Sequence, residues 1–280
     1  RERGAELETF GNSEVFGARR HNTALYAGVA HHAGAHDLEF TGRYDDSSVF
    51  GGEATFQAAW GWQLADATRL RASFGQGFRA PSLNELYSPG FGGLFAGNPD
   101  LQPEQSDSLE LGLRHDFNAD HRIEASAYRT RVDDLISFSG GETYQAINIA
   151  RADIDGVELE YSGHVGAFAL VANATVQDAQ NRDTGTDLLR RPGQKGTLRV
   201  DYTFSGGASL GTEVFGSGTR QDFNGPLPGY GLVHLVGSLP FGERWRVGVR
   251  VENLLDRDYE VLSGYNTPGR GAYVTLSYGE

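Results

Sequence analysis

The chain has 280 residues, a formal net charge of -13 and a pI near 5.0, with no cysteine, no methionine and 39 glycines. The missing thiols exclude disulfide scaffolds, thiolate metal sites and cysteine nucleophiles, and the acidic balance argues against nucleic acid as a partner. The longest uncharged stretch, Phe223 to Gly242, holds Pro226, Pro228 and Pro240, so the ~20 apolar residues of a spanning helix are not available.

Taken in chain order, Arg1 to Gly17 alternates poorly and reads as the far half of a long loop. Period-two segments then recur. Leu38, Phe40 and Tyr44 oppose Glu39, Thr41 and Arg43; Phe56, Ala58, Trp60, Trp62 and Leu64 alternate with Thr55, Gln57, Ala59, Gly61 and Gln63. Each is a strand with one apolar face. Between Arg79 and Glu104, Pro81, Pro89, Pro99 and Pro103 remove four backbone donors, which predicts an ordered loop instead of central sheet. Its apolar residues, Leu83, Leu86, Tyr87, Phe91, Leu94 and Phe95, either pack on neighbouring loops or face a ligand.

Alternation resumes at Leu109, Leu111 and Leu113. It slips where Arg129 and Arg131 continue the face of Ile123, Ala125 and Ala127, which predicts a bulge near Tyr128. Further strands are expected at Phe168 to Gln177, Leu198 to Phe204, Trp245 to Glu252 and Ala272 to Tyr278. About thirteen such segments are present, many of ten residues or more. That length suits a tilted membrane strand of ~9 to 11 residues better than a globular strand of ~5 to 6.

Short connections, near Ala33 to Ala35, Ala65 to Ala67, Asn118 to His121, His164 to Gly166, Ser205 to Gly207 and Gly242 to Arg244, take turns with longer ones. The longer ones fall at Asp45 to Glu53, Arg79 to Glu104, Ser139 to Thr143, Ala179 to Gly193, Thr219 to Gly229 and Glu260 to Gly269. An up-and-down meander places them on opposite rims, the tight one toward the periplasm. Trp60, Trp62, Phe117, Tyr161, Tyr202, Phe204, Phe241, Trp245 and Tyr278 lie beside short turns or the C-terminus and read as an interfacial girdle. The expected fold is all-β, an antiparallel transmembrane β-barrel; a soluble β-rich sandwich, solenoid or propeller is the alternative.

Several stretches resemble one family. The run Gly77-Phe78-Arg79-Ala80-Pro81-Ser82-Leu83-Asn84-Glu85-Leu86-Tyr87, with Gly97-Asn98-Pro99-Asp100-Leu101-Gln102-Pro103-Glu104, resembles the long loop and following strand of the TonB-dependent outer-membrane receptors. Ala152 to Glu160 is similar to that family's A-x-I-x-G-x-E-x-E strand, and Val251 to Tyr259 resembles its penultimate strand. Gly264 to Arg270, leading into the last strand, points toward the cobalamin (vitamin B12) branch.

The resemblance implies that residues 1 to 280 are a partial receptor barrel, the C-terminal ~13 strands of a 22-stranded barrel around a plug. The plug, with its TonB box, and the first strands are missing. It further implies a bacterial outer-membrane location, no enzymatic activity, no cofactor, and uptake of a scarce bulky ligand with energy relayed by TonB. Cobalamin is the expected ligand; a ferric siderophore, or a passive pore, is the alternative. TonB, met through the missing plug segment, and outer-membrane lipid are the expected partners. Alone, thirteen strands would leave two open edges, so no closed barrel is expected from this chain by itself. The family usually ends on an aromatic residue, whereas this chain ends Tyr278-Gly279-Glu280.

The candidate ligand-binding residues are Tyr87, Phe91, Phe95 and Tyr265, all in loops. Other chemistry finds little support. His31, His32 and His36 straddle a short turn without the geometry of a metal site. Asp45-Asp46 and Asp133-Asp134 lack the spaced oxygens of a calcium loop. Ser82, Ser88 and Ser106 have no nucleophile elbow, and no helix pattern follows Gly229-Tyr230-Gly231 as a dinucleotide loop would require.

Overall fold

A computed structural model describes residues 18–279 and, before them, the backbone of the short strands Glu2–Arg3, Glu6–Thr9 and Asn12–Val15. The loop expected over Arg1 to Gly17 otherwise lies outside the described residues. Thirteen long strands follow: β1 (Asn22–Ala33), β2 (His36–Ser47), β3 (Gly51–Ala65), β4 (Thr68–Arg79), β5 (Glu104–Asn118), β6 (His121–Gly140), β7 (Gln145–Val165), β8 (Phe168–Asn181), β9 (Gln194–Thr203), β10 (Ser209–Ser217), β11 (Tyr230–Phe241), β12 (Trp245–Glu252) and β13 (Gly271–Tyr278). Every one pairs antiparallel with its sequence neighbours, so spatial order is chain order from β1 to β13. The two-residue strand Thr186–Asp187 adds to β8.

Because paired residues in an antiparallel ladder share a face, the registers can be followed across the wall. Phe40 faces Val29 and Ala58, Ala58 faces Phe74, Phe74 faces Leu109, and Leu111 faces Ala127. Val157 then faces Ala127 and Val176, Leu198 faces Ala172 and Val214, and Val249 faces Gly237 and Val274. One apolar face therefore runs unbroken through thirteen strands. Among the described residues it has no second layer over it: Leu25, Val274 and Leu111 stay 78 %, 74 % and 57 % exposed. A surface of that extent is stable against hydrocarbon and not against water. The opposite face carries Glu39, Arg71, Glu110, Glu124, Glu158, Arg199 and Glu213, as a wet lumen does.

The expected bulge near Tyr128 is absent. Residues 122–133 of β6 hold one register against both β5 and β7. The phase of the pattern changes for another reason. Arg129 and Arg131 lie on the same face as Ala127, but beyond the apolar band, where Arg129 pairs with Asp155 at 2.7 Å and Arg131 approaches Asp153. The strand leaves the bilayer and continues as a polar wall. Tyr128 faces the lumen and stands over Gly156, its register partner, where a Cβ would meet the phenol oxygen at 2.4 Å. An aromatic ring thus covers the glycine of the Ala152 to Glu160 stretch.

The tight turns fall where expected, with Gly34, Gly166 and Gly242 at positive φ. On the other rim the strands run further than the pattern suggested. The connection placed at Asp45 to Glu53 shrinks to residues 48–50, since β2 ends at Ser47 and β3 begins at Gly51. Aromatics pair along the tight rim, Trp245 with Tyr278 at 4.8 Å and Phe168 with Tyr202 at 4.8 Å.

Candidate functional site

The ragged rim is held together by loops that fold on one another. Between β4 and β5 the chain makes a short helix, α1 (Leu83–Tyr87), begun by a reciprocal cap: Ser82 Oγ accepts from the Glu85 amide at 3.2 Å, and Glu85 accepts from the Ser82 amide at 2.7 Å. This S-x-x-E signature was present in the sequence and would have located the helix. Arg79, at the end of β4, donates to both carboxylate oxygens of Glu85 and of Glu104, its register partner on β5. Glu104 also accepts the Ile136 amide at 2.8 Å. One forked guanidinium thereby ties both ends of a long loop to the β6–β7 hairpin. Burial pushes the Glu85 carboxyl up, but Arg79 and the Ser82 amide outweigh it and hold the group below its ordinary value.

The returning half of this loop lies against α1 and the hairpin tip. Gly97 sits under the helix, where a Cβ would come within 2.8 Å of the Leu86 carbonyl carbon and the Tyr87 nitrogen. Backbone bonds run from Phe95 to Thr143 and from Ala146 to Ala96, and Asn148 exchanges two bonds with Gln102. Leu86 and Leu101 are buried with Ile136 and Ala146, and Phe138 packs on them. The segment is a small folded unit built on the sheet.

Three other loops are joined to one another through Asp222, whose side chain is 1 % exposed. Asp222 accepts from Arg190 Nε at 2.9 Å, from the Phe223 amide at 2.9 Å and from the Ser263 amide at 2.7 Å, so it links the β8–β9, β10–β11 and β12–β13 connections. Burial raises its pKa, while the two amides and the Arg190 guanidinium outweigh that and lower it. Arg220 donates to the carbonyls of Glu260 and Val261 and lies over the Tyr230 ring. Asn253, at φ 47°, closes the start of the last loop through bonds with Arg257 and with the carbonyl of Pro268.

The four candidate residues divide between these parts. Phe95 is half-buried and stacks on Tyr144 at 5.2 Å, with Phe138 and Phe223 at 6.3 and 5.9 Å, so its ring joins three loops. Tyr87, Phe91 and Tyr265 are 41 %, 59 % and 68 % exposed. Phe91 and Leu94 bond to each other through their backbones across Gly92 and Gly93, both at positive φ, which makes a tight two-residue hairpin with exposed side chains. Tyr87 borders a groove of about 690 Å³ with Arg19, Ser88 and Pro99. A second cavity, of about 590 Å³, lies between the β6–β7 tip and the β8–β9 loop, where Tyr144, Ile147, Leu188, Arg191 and Phe223 meet. Tyr265 stands apart on the last loop. Sequence reading missed Arg79, Asp222 and Tyr144, whose importance lies in contacts across 25 to 79 residues of chain. Among the described residues no group of three or more His, Asp or Glu side chains is arranged to hold a metal ion.

Residues 5–254 match the sequence family described as TonB dependent receptor-like, beta-barrel. Among solved structures, the chain is similar to the copper transporter OprC, at 21 % identity and a TM-score of 0.80 over 92 % of this chain and 47 % of that one. It is also similar to the ferric enterobactin receptor PfeA from Pseudomonas aeruginosa, at 20 % identity and 0.79 over 96 % and 46 %. The siderophore receptor PirA from Acinetobacter baumannii matches at 20 % and 0.78 over 92 % and 46 %. The chain spans about half the length of these structures, and at such identities the likeness is one of fold. The chain belongs to the TonB-dependent receptor β-barrel family, whose members are transport receptors of the Gram-negative outer membrane, and that membrane is its location.

Proposed function

We propose that this member of the TonB-dependent receptor family is the barrel part of an energised uptake receptor, completed by further strands and a plug, that takes in a scarce bulky ligand with energy relayed by TonB. The observation that carries this reading is the folded loop over residues 80–103. A passive pore gains nothing from a capped helix, a four-bond Arg79 clamp and an aromatic anchor that together hold Tyr87, Phe91 and Leu94 out toward the medium. TonB-independent uptake by the full-length protein would return the function to a pore.

The finer reading is a cobalamin-like corrinoid. Its broad face offers apolar methyls and its rim amides, which suit Tyr87, Phe91 and Tyr265 with backbone groups beside them. The cations of the loops support a ligand of low charge, because Arg79 is spent on Glu85 and Glu104, Arg190 on Asp222 and Arg182 on Asp153. A ferric siderophore is the second reading, favoured by the exposed Arg191 in the cavity beside Tyr144. Equilibrium binding of cyanocobalamin and of a ferric catecholate to the full-length protein in detergent separates them. Saturable corrinoid binding that weakens in a Tyr87→Ala, Phe91→Ala variant with intact folding is expected; binding of the iron complex alone sinks the corrinoid reading.

A further inference from the structure

The groove beside Tyr87 carries a fixed charge of one sign. Arg79, Arg182 and Arg190 are each paired with a carboxylate, whereas Arg19, on the wall of this groove, is exposed and has no hydrogen-bond or ion-pair partner among the described residues. Its neighbour holds it in place. The Arg20 guanidinium donates to the Pro81 carbonyl at 2.8 Å and ties the segment before β1 to the start of the residue 80–103 loop.

The rest of the lining suits the same sign. Leu86, Tyr87 and Pro99 are its apolar part, and among the described residues no carboxylate borders it. Glu85, the acid of the adjoining α1, is committed to Arg79 and to the Ser82 amide. Ser88 is 7 % exposed, and its Oγ accepts from the Gly90 amide at 3.2 Å. The hydroxyl hydrogen is thereby left for an acceptor that the described residues do not supply. Backbone bonds from Ser88 to Asn84, from Gly97 to Ser88 and from Asn98 to Glu85 fix these walls, so little ordering is required when a ligand enters. The cavity beside Tyr144 differs, since Asp183, Asp187 and Asp222 line it along with Arg191.

We propose that this groove is a subsite for one phosphodiester, bound by the Arg19 guanidinium and the Ser88 hydroxyl while the neighbouring part of the ligand lies on Leu86, Tyr87 and Pro99. The proposal rests on the corrinoid reading, under which the group is the single phosphate of a cobalamin's nucleotide arm. A planar guanidinium meets two phosphate oxygens at once, and a hydroxyl donor beside it adds a bond to the same anion. A groove of about 690 Å³ receives an arm of such a ligand and leaves the macrocycle to the exposed aromatics.

The test measures equilibrium binding of cyanocobalamin and of dicyanocobinamide, which keeps the corrin ring and lacks the nucleotide arm, to the full-length receptor in detergent. Arg19→Gln removes a side chain without a partner, so folding is expected to stand. It should weaken cyanocobalamin roughly tenfold and leave dicyanocobinamide unchanged. Raising NaCl from about 0.05 to about 0.5 M should weaken cyanocobalamin binding by the native protein and by Arg19→Lys, and not by Arg19→Gln. Equal losses for both corrinoids in Arg19→Gln, or no loss for either, overturn the subsite and leave the corrinoid reading standing. If neither corrinoid binds the native receptor, the corrinoid reading falls and the subsite falls with it.

Discussion

Placing Arg at position 111 is the sharpest test of the facing of the wall. Leu111 lies on β5 between Ala72 and Ala127, on the unbroken apolar face, and is 57 % exposed. It stands four residues from His115 in the rim girdle. At ~3.4 Å per residue and a strand tilt of ~40° it rises roughly 10 Å above that girdle, close to the middle of a ~25 Å apolar band. Leu111→Arg should therefore destabilise the barrel by about 2 to 4 kcal/mol. Ser73→Arg is the control, because Ser73 is the register partner of Glu110 on the lumen face, where a cation is hydrated and has a carboxylate beside it. Denaturant titration of the full-length receptor in lipid vesicles, followed by heat-modifiable migration, measures both. Equal costs at the two positions, or a cost at position 111 well under ~1 kcal/mol, would refute the assignment of lipid and lumen faces.

Arg79→Met should release both ends of the residue 80–103 segment at a cost of about 1 to 3 kcal/mol, toward the lower figure because Arg79 is half-exposed; faster hydrogen exchange through α1 without loss of the barrel is the expected sign. Gly97→Ala forces a Cβ against the backbone of Leu86 and Tyr87 and should cost about 1 to 3 kcal/mol, read as protease cleavage within that segment. Phe95→Ala should loosen the three-loop contact while Phe91→Ala leaves folding unchanged, which limited proteolysis of the two variants separates. Asp222 has a lowered pKa in the folded state, so the linkage it provides is complete at neutral pH and is lost as the pH falls through that lowered value, below the ordinary carboxylate range. Asp222→Asn should weaken the three-loop contact at pH 7 and flatten its acid sensitivity, measured by hydrogen exchange around Ser263.

The wall was legible in the sequence because alternation is local. A strand turns each side chain to the face opposite its neighbour's, so Phe56 to Leu64 or Leu109 to Leu113 state their facing without reference to any other element, and the turn spacing then orders the strands. The reading failed where a local rule met a boundary it does not contain. Arg129 and Arg131 looked like a slipped phase because nothing in a strand's own pattern marks where the bilayer ends; only the register through β5, β6 and β7, with Asp155 and Asp153 opposite, shows one continuous face crossing from lipid to water. The loops were less legible still. That the segment was ordered followed from its prolines, and the split of its apolar residues between packing and exposure could not be read. Leu86 and Phe95 differ from Tyr87 and Phe91 only in what meets them, and what meets them comes from Ile136, Phe138, Tyr144 and Phe223 on other connections. Contacts between residues 40 to 130 positions apart are made by the assembly of successive hairpins into one sheet, which brings loop ends together at distances the intervening sequence does not encode; the wall is therefore written in the chain, and the surface that meets a ligand is decided by the fold.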